Sequence, residues 1–253
     1  MSKHCVQPVA LVTGASLGIG AATAREFAKR GYAVGVHFNT SERQAQELVG
    51  SIEAGGGTAA SFQADLSDVG QCQNIVSSVV KRFGHIDVLV NNAGSLIGRR
   101  LLAEIDEDFW TSVMDLNLAS VLWVTQAAAV HMRERGSGAV VNLGSIAGHN
   151  GGGPGAILYA TAKAAVTGMT KALAKELIAD GIRVNAVNPG VILTPFHERF
   201  SSEERMRDMV SQIPQGRAGK SEEVAGVIAF LASAAASHIV GESVEVNGGM
   251  LMD

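Results

Sequence analysis

The sequence predicts an α/β fold, a doubly wound, seven-stranded parallel sheet with helices on both faces. Short runs rich in Val, Ile and Leu alternate with longer amphipathic segments along the whole chain. The short runs are continuously apolar rather than alternating, which is typical of strands covered on both faces. A glycine-rich turn also separates the first strand from the first helix, as in many ligand-binding α/β sheets.

The alternation assigns the elements in chain order. The strands are Val9–Thr13, Ala33–His37, Thr58–Phe62, Ile86–Val90, Ala139–Leu143, Ile182–Val187 and Ser243–Val246. The helices are Gly20–Arg30, Ser41–Ala54, Asp68–Phe83, Asp106–Arg135 (one helix or two), Leu158–Ala179, Ser201–Gln212 and Ser221–Ala234. Strands that alternate with helices form parallel βαβ units. Such sheets bind ligands beyond the carboxyl ends of their strands, so we expect the chemistry there.

Length and composition favour one globular domain over residues 1–253, with two small domains as the alternative. The chain is 47% apolar with a net charge of −4, so no basic field predicts a nucleic-acid or membrane partner. Cys5 and Cys72 have no metal-binding spacing, which predicts no metal site and fits a reducing compartment. The first residues lack the apolar run of a signal peptide, and the apolar stretch Val224–Ala236 is too short to span a bilayer. We therefore expect a cytoplasmic protein.

The glycine turn reads Thr13-Gly-Ala-Ser-Leu-Gly-Ile-Gly20. Gly14 suits a tight turn, Gly18 lets the backbone approach a phosphate, and Gly20 allows close packing of helix on strand. The helix that follows offers unpaired N–H groups and the positive end of its dipole to an anion. A purely structural glycine turn is the alternative.

Tyr159 and Lys163 are four residues apart on a predicted helix, so their side chains share one face. A phenol has a pKa of about 10, and a neighbouring ammonium lowers it. A tyrosine tuned in this way can exchange a proton with an alcohol or carbonyl oxygen. Ser145 ends a strand and can hydrogen-bond the same oxygen. The alternative is a core tyrosine whose hydroxyl group is satisfied.

Taken in order, these motifs resemble those of the short-chain dehydrogenase/reductase family over essentially the whole chain. The further matches are Asn91-Asn-Ala-Gly94, Asn117 and Pro189-Gly190. The resemblance implies a Rossmann fold in which Tyr159 is the general acid in carbonyl reduction and the base in alcohol oxidation. It implies that Lys163 lowers the pKa of Tyr159 and binds the nicotinamide ribose, that Ser145 orients the substrate oxygen, and that Asn117 holds a water that leads to solvent.

The resemblance also implies the residues that bind a nicotinamide dinucleotide. Asp65 is expected at the adenine amine, with a helix cap as the alternative. Asn91 is expected at the ribose, with a role in joining neighbouring strands as the alternative. The predicted contacts are Gly14, Ser16, Leu17, Gly18, Ile19, Asp65, Leu66, Asn91, Ala93, Gly94, Tyr159, Lys163, Pro189, Gly190, Ile192 and Thr194.

The end of the second strand bears on the choice between NAD and NADP. The position where the family's acid binds the NAD ribose is Phe38, and no acid precedes Glu42. The side chains between them, Asn39, Thr40 and Ser41, can hydrogen-bond a 2′-phosphate. Ser41 is also expected to cap the next helix. Arg43 either adds charge or is solvated, and Leu17 stands where many NADP-preferring relatives carry arginine. The sequence favours NADP(H) over NAD(H), bound here by Asn39, Thr40 and Ser41.

The chain is similar to 3-oxoacyl-acyl-carrier-protein reductases, and next to sugar and polyol dehydrogenases. The function implied is interconversion of a carbonyl and a secondary alcohol; a nucleotide-binding scaffold without chemistry is the third reading. The substrate lip would include the glycine-rich loop Gly148–Ala156. An acidic carrier protein would dock on basic residues near the entrance. The candidates are Arg99, Arg100, Lys171 and Lys175.

The resemblance further implies a homotetramer. One interface would contain the helix Val224–Ala236 and the strand Ser243–Val246. The other would contain the helices Asp106–Arg135 and Leu158–Ala179. For the helix Val224–Ala236, burial within the monomer is the alternative.

Overall fold

A computed structural model describes residues 7–252, except for the side chains of residues 197 and 198. Its strands are β1 Val9–Val12, β2 Ala33–Phe38, β3 Thr58–Gln63, β4 Val88–Asn91, β5 Gly138–Leu143, β6 Ile182–Pro189, β7 Ile192–Leu193, β8 Gly219–Lys220 and β9 Ser243–Val246. Seven of these strands pair in parallel in the order β3-β2-β1-β4-β5-β6-β9. The predicted seven-stranded sheet is therefore confirmed.

The helices are α1 Gly18–Lys29, α2 Glu42–Ala54, α3 Val69–Phe83, α4 Glu107–Met114, α5 Ser120–Arg135, α6 Ala147–Asn150, α7 Ile157–Leu177, α8 Pro195–Phe200, α9 Glu203–Ser211 and α10 Ser221–Ala232. Helices α1, α2 and α10 cover one face of the sheet, and α3, α5 and α7 cover the other. The central strands β1, β2 and β4 are buried at every position, because both faces are covered.

The strand order reverses between β1 and β4, since the chain moves outward from β1 to β3 and then returns to β4 on the other side. Loops that leave neighbouring strands there diverge and open a crevice beyond the carboxyl ends. The glycine turn after β1 and the loop after β4 form its two walls.

The helical stretch Glu107–Arg135 is long and apolar enough to cross a membrane by length and composition alone. Its most apolar window is 44% buried, and α5 packs on α3, β4 and β5. Core helices of globular proteins pass the same test, so this is weak evidence for a span.

Candidate active site

A cleft of about 940 Å³ runs along the carboxyl ends of the strands, from the glycine turn to α8 and α9. It brings together most of the predicted site, including the catalytic candidates Ser145, Tyr159 and Lys163. The predicted cofactor residues that line it are Gly14, Ser16, Leu17, Gly18, Ile19, Asn39, Thr40, Ser41, Leu66, Ala93, Gly94, Pro189, Gly190, Ile192 and Thr194. Asp65, Asn91 and Asn117 are not among the lining residues.

The glycine turn has the shape that a pyrophosphate requires. Gly14 and Gly18 have φ values of 61° and 55°, a conformation that side chains rarely adopt. A Cβ on Gly18 would lie 3.3 Å from the Thr194 methyl group across the cleft. Helix α1 begins at Gly18, two residues before the predicted start, and no side chain caps its first turn. Its first N–H groups therefore face the cleft and suit a phosphate.

His37 was missed by sequence reasoning, although it is buried in the wall of the cleft. Its Nδ1 accepts the Gly14 N–H at 2.8 Å, and its Nε2 lies 3.1 Å from the Ala64 carbonyl oxygen. Nδ1 acts as an acceptor, so the ring is neutral and Nε2 carries the proton. Burial lowers the pKa of His37, which favours this neutral form. The ring therefore joins the glycine turn to the end of β3.

The Asn91 side chain does not line the cleft and fits the strand-joining alternative, while its contact with the ribose stays a prediction. Asn91 Nδ2 donates to Thr125 Oγ1 and to Asn142 Oδ1, each at 2.9 Å, and so joins β4 to β5 and α5. Its neighbour Asn92 instead faces β1 and donates to the carbonyls of Thr13 and Gly14 at 2.8 and 3.0 Å. Consecutive residues of a strand point to opposite faces of the sheet. The side chains of Asn91 and Asn92 therefore could not both turn toward the cleft.

Asp65 lies at the carboxyl end of β3, beside the cleft residue Leu66. Its Oδ1 accepts the hydroxyl and the N–H of Ser67 at 2.7 and 3.0 Å, and these bonds lower the pKa of Asp65. The cap of α3 is Asp68, which accepts the Gln71 N–H. The helix-cap alternative for Asp65 is therefore wrong, and its contact with adenine stays a prediction.

The end of β2 differs from one expectation and bears on one open alternative. Ser41 precedes α2, but its side chain makes no capping hydrogen bond, so the first turn of α2 keeps free N–H groups. Arg43 is exposed and lies 3.8 Å from Glu47 Oε1, outside the cleft lining. The solvated alternative for Arg43 is thus confirmed.

Tyr159 lies in the first turn of α7, and its hydroxyl is hydrogen-bonded to Ser145, which follows β5. Lys163 is one turn further along, with Nζ 5.7 Å from the Tyr159 ring centroid. Its Nζ donates to the Leu143 carbonyl at 2.7 Å. The helix spacing thus brings both groups to the carboxyl end of β5, as predicted.

Burial acts on the Tyr159 pKa in the opposite direction to the lowering expected from Lys163, which stays a prediction. Burial raises the pKa of Tyr159 to about 12, and the Ser145 hydrogen bond offsets only part of that effect. Burial also lowers the pKa of Lys163 to about 8. Loss of hydration disfavours both charged forms.

Asn117 is fully buried in a π-helical segment, Asp115–Ala119, between α4 and α5. Its Nδ2 donates to the carbonyls of Ser95 and Val113 at 2.9 Å, and its Oδ1 accepts the Ser95 N–H at 3.0 Å. A Cβ on Gly94 would lie 2.9 Å from Asn117 Oδ1 and 3.2 Å from Lys163 Nζ. Asn117 therefore fixes the loop after β4 directly beside Lys163.

The far end of the cleft is closed by residues after β6. The Pro189 carbonyl accepts the Ile146 N–H at 3.0 Å, and the Gly190 N–H donates to Val246 at 2.9 Å. The first bond holds Pro189 against the loop that carries Ser145, and the second holds Gly190 against the end of β9. Of the basic candidates, Arg99 lines the cleft, whereas Arg100 pairs with Asp106. Lys171 and Lys175 are exposed on α7, outside the lining.

Comparisons with known proteins give near full-length matches. A family model described as enoyl-(acyl carrier protein) reductase matches residues 14–251. The 3-oxoacyl-[acyl-carrier-protein] reductase FabG of Staphylococcus aureus is 42% identical, over 96% of this chain and 98% of its own. The 3-oxoacyl-[acyl-carrier-protein] reductase of Synechocystis sp. is 43% identical, over 96% and 97%.

Two solved structures are similar over nearly all of the chain. The NADH-dependent reductase A1-R′ responsible for alginate metabolism is 40% identical, with a TM-score of 0.88 and 98% coverage of both chains. A blue fluorescent protein from a metagenomic library, in complex with NADPH, is 36% identical, with a TM-score of 0.91 and coverage of 97% and 98%. Proteins of this fold thus bind either nicotinamide cofactor.

Proposed function

The chain belongs to the short-chain dehydrogenase/reductase family, and from that premise we propose that it reduces the carbonyl group of a 3-oxoacyl thioester with NADPH. It is an NAD(P)-dependent oxidoreductase that interconverts carbonyl and CH–OH groups. The proposal depends above all on Tyr159, which is hydrogen-bonded to Ser145 and one helical turn from Lys163. The relatives named 3-oxoacyl-[acyl-carrier-protein] reductase support the thioester.

In reduction, Tyr159 donates its phenolic proton to the carbonyl oxygen, and in oxidation it takes the proton back. The Ser145 hydroxyl donates a hydrogen bond to the same oxygen and orients it. Lys163 binds the nicotinamide ribose, and Asn117 holds a water that leads protons from Lys163 to solvent. The bound reduced nicotinamide supplies the hydride.

The glycine turn and the start of α1 would hold the pyrophosphate, since the turn has the φ values and the first turn of α1 the free N–H groups that a phosphate needs. Asp65 and Leu66 would hold the adenine, and Ala93 and Gly94 the ribose. The nicotinamide end would contact Pro189, Gly190, Ile192 and Thr194.

NADPH is the favoured cofactor because the cleft wall at the end of β2 carries no carboxylate among its described residues. Asn39, Thr40 and Ser41 offer hydrogen bonds to a 2′-phosphate, and the uncapped start of α2 favours an anion. A carboxylate at this place would bind the ribose hydroxyls of NAD and repel the phosphate.

Steady-state assays of NADPH and NADH oxidation with an acetoacetyl thioester test the proposed reaction and cofactor together. We expect turnover with both cofactors and a higher kcat/KM with NADPH. A higher kcat/KM with NADH contradicts the cofactor assignment alone. No turnover of any thioester contradicts the substrate.

A sugar or polyol dehydrogenase is the second candidate function. It is favoured by the 40% identity to the reductase responsible for alginate metabolism, since alginate is a polysaccharide. The same assay with sugar, polyol and small ketone substrates distinguishes the two.

We further propose one domain over residues 1–253, a cytoplasmic location and a homotetramer, as the family resemblance implies. An acyl carrier protein would present the thioester. Lys171 and Lys175 are exposed near the end of α7 and outside the cleft lining, whereas Arg99 lines the cleft, so the docking surface would lie around Arg99.

A further inference from the structure

The substrate half of the cleft contains three arginines that the proposed chemistry does not use: Arg99, Arg199 and Arg205. They come from the loop after β4, from α8 and from α9. Asp208 is the one carboxylate among the described residues that line the cleft. This end of the cleft is therefore cationic although the chain as a whole carries a charge of −4.

Arg99 is held in place by backbone carbonyls rather than by an acid. Its Nε donates to Phe200 at 3.1 Å and its Nη1 to Pro154 at 2.9 Å. A guanidinium has five N–H donors, so three remain for a ligand. Arg99 is also partly buried, which strengthens its interaction with any anion that reaches it.

Arg205 approaches the same place from α9. Its guanidinium packs on Gly153, where an added Cβ would lie 3.0 Å from Arg205 Cζ and would collide with Nη2. Burial lowers the pKa of Arg99, and the charge of Arg205 lowers it further. Among the side chains that the structure describes, no carboxylate forms an ion pair with Arg99 or Arg205.

Two like charges at one site repel each other, and an anion between them relieves that repulsion. The other nearby arginines already have partners. Arg100 pairs with Asp106, and Arg199 stacks on the Phe200 ring at 5.1 Å. Arg99 and Arg205, which have no carboxylate partner among the described side chains, thus form a site for a carboxylate or a phosphate, which arginine binds through paired hydrogen bonds.

Aromatic rings separate this site from the reacting group. The Phe196 ring lies 5.8 Å from the Tyr159 ring and 5.2 Å from the Phe200 ring, and the Phe200 carbonyl accepts from Arg99. We propose that Arg99 and Arg205 bind an anionic group of the substrate, separated from its carbonyl by an apolar segment. This inference rests on the proposed reductase function and narrows its substrate class.

Matched pairs of substrates test the site with NADPH in saturating amount. The first pair is the acetoacetyl thioester of pantetheine, which is neutral, and that of 4′-phosphopantetheine, which is anionic. The second pair is the methyl ester of 5-oxohexanoic acid, which is neutral, and the free acid, which is anionic. The variant is Arg205→Gln, and the control is Arg207→Gln, which changes an exposed arginine of the same helix outside the cleft.

We expect Arg205→Gln to raise KM for an anionic member by about 10- to 100-fold, because a charge-assisted hydrogen bond is lost. The KM of its neutral partner should change little. An effect on the phosphate alone identifies a carrier arm, and an effect on the carboxylate alone identifies a free oxo acid. Equal changes for both members of each pair, no change for either, or the same change in Arg207→Gln would overturn the site.

A binding measurement separates this inference from the reductase proposal. If the wild-type protein reduces none of the four substrates, the proposed function fails, and calorimetric titration of the protein–NADPH complex with glutarate and with 4′-phosphopantetheine still tests the anion site. We expect binding of one of them that Arg205→Gln weakens about 10-fold or more. Equal affinities in the wild type and the variant, or no binding, would contradict it.

Discussion

At the scale of single residues, burial moves Tyr159 and Lys163 toward their neutral forms. With a pKa raised to about 12, Tyr159 keeps its proton at neutral pH and is ready to donate it to a carbonyl oxygen. Alcohol oxidation instead needs the phenolate, which burial disfavours. Burial of Tyr159 therefore favours the protonated form that carbonyl reduction needs.

His37 makes folding stability depend on pH. Burial lowers the pKa of His37 below its ordinary value of 6.5, so the unfolded chain binds a proton more readily than the folded one. The stabilisation is fully present above about pH 6.5 and is lost as the pH falls toward the folded pKa, by at most about 1.4 kcal/mol per pH unit.

Urea unfolding at pH 8.0, 6.5 and 5.0 measures this effect. We expect His37→Asn, which keeps an acceptor for the Gly14 N–H, to lose less unfolding free energy between pH 6.5 and 5.0 than the wild type. Parallel pH profiles of the two proteins would show that His37 does not contribute.

Residue chemistry was predictable from sequence where spacing alone fixes geometry. Tyr159 and Lys163 are one helical turn apart, and any helix brings them to one face. His37 had no such signal, because its two hydrogen bonds join the glycine turn and β3, which are distant in sequence. The inward orientation of Asn91 likewise depends on strand register.

At the scale of elements, the long apolar stretch Asp106–Arg135 was expected as one helix or two. It is α4 and α5 joined through the π-helical segment Asp115–Ala119. The wider turn brings the Asn117 side chain into three hydrogen bonds with Ser95 and Val113. Hydrophobic periodicity reports a buried face and is insensitive to one inserted residue, so it could not locate this turn.

The loop after β4 has no room for a side chain at Gly94. Gly94→Ala would move Asn117 Oδ1 or Lys163 Nζ, since the new Cβ would lie 2.9 and 3.2 Å from them. We expect kcat/KM to fall by about 10- to 100-fold, because small displacements of positioned groups have effects of this size. Steady-state kinetics measure the effect.

The matched control for Gly94→Ala is Gly50→Ala, in the exposed middle of α2, where the new Cβ meets nothing within 4 Å. It should leave kcat/KM unchanged and stabilise the fold by about 0.5–1 kcal/mol. Equal kcat/KM for both variants and the wild type would contradict the role of Gly94.

Short elements escaped prediction for a related reason. Helix α8 has six residues, and β7 and β8 have two each, which is too short for a hydrophobic pattern to repeat reliably. Helix α1 begins within the glycine turn, where side chains give no periodic signal. Of these elements, α1, α8 and β7 line the cleft, and the missed residue Arg205 lies on the neighbouring helix α9.

At the scale of the whole molecule, the order of strands followed from alternation, since βαβ units permit few topologies. Helix α10 is largely buried within the chain, where it packs against α1, β5 and β6. This matches the alternative of burial within the monomer. Its Phe230 is still 42% exposed. An exposed phenylalanine on an apolar helix suits contact with a second copy.

Light scattering tests the proposed tetramer. We expect a mass four times that of the 26.2 kDa chain. Phe230→Arg should reduce this mass to that of a dimer, because it places a charge at one of two proposed interfaces. A monomeric wild-type protein would contradict the assembly.

The account depends most on proton transfer by Tyr159, and the chain offers its own control in Tyr32, its other tyrosine, which packs on the Phe27 ring. Turnover of an acetoacetyl thioester and NADPH binding should be measured together in Tyr159→Phe and Tyr32→Phe. We predict that Tyr159→Phe lowers kcat by about 10²- to 10⁴-fold with cofactor affinity unchanged, whereas Tyr32→Phe retains both. A kcat in Tyr159→Phe equal to that of the wild type would contradict the mechanism.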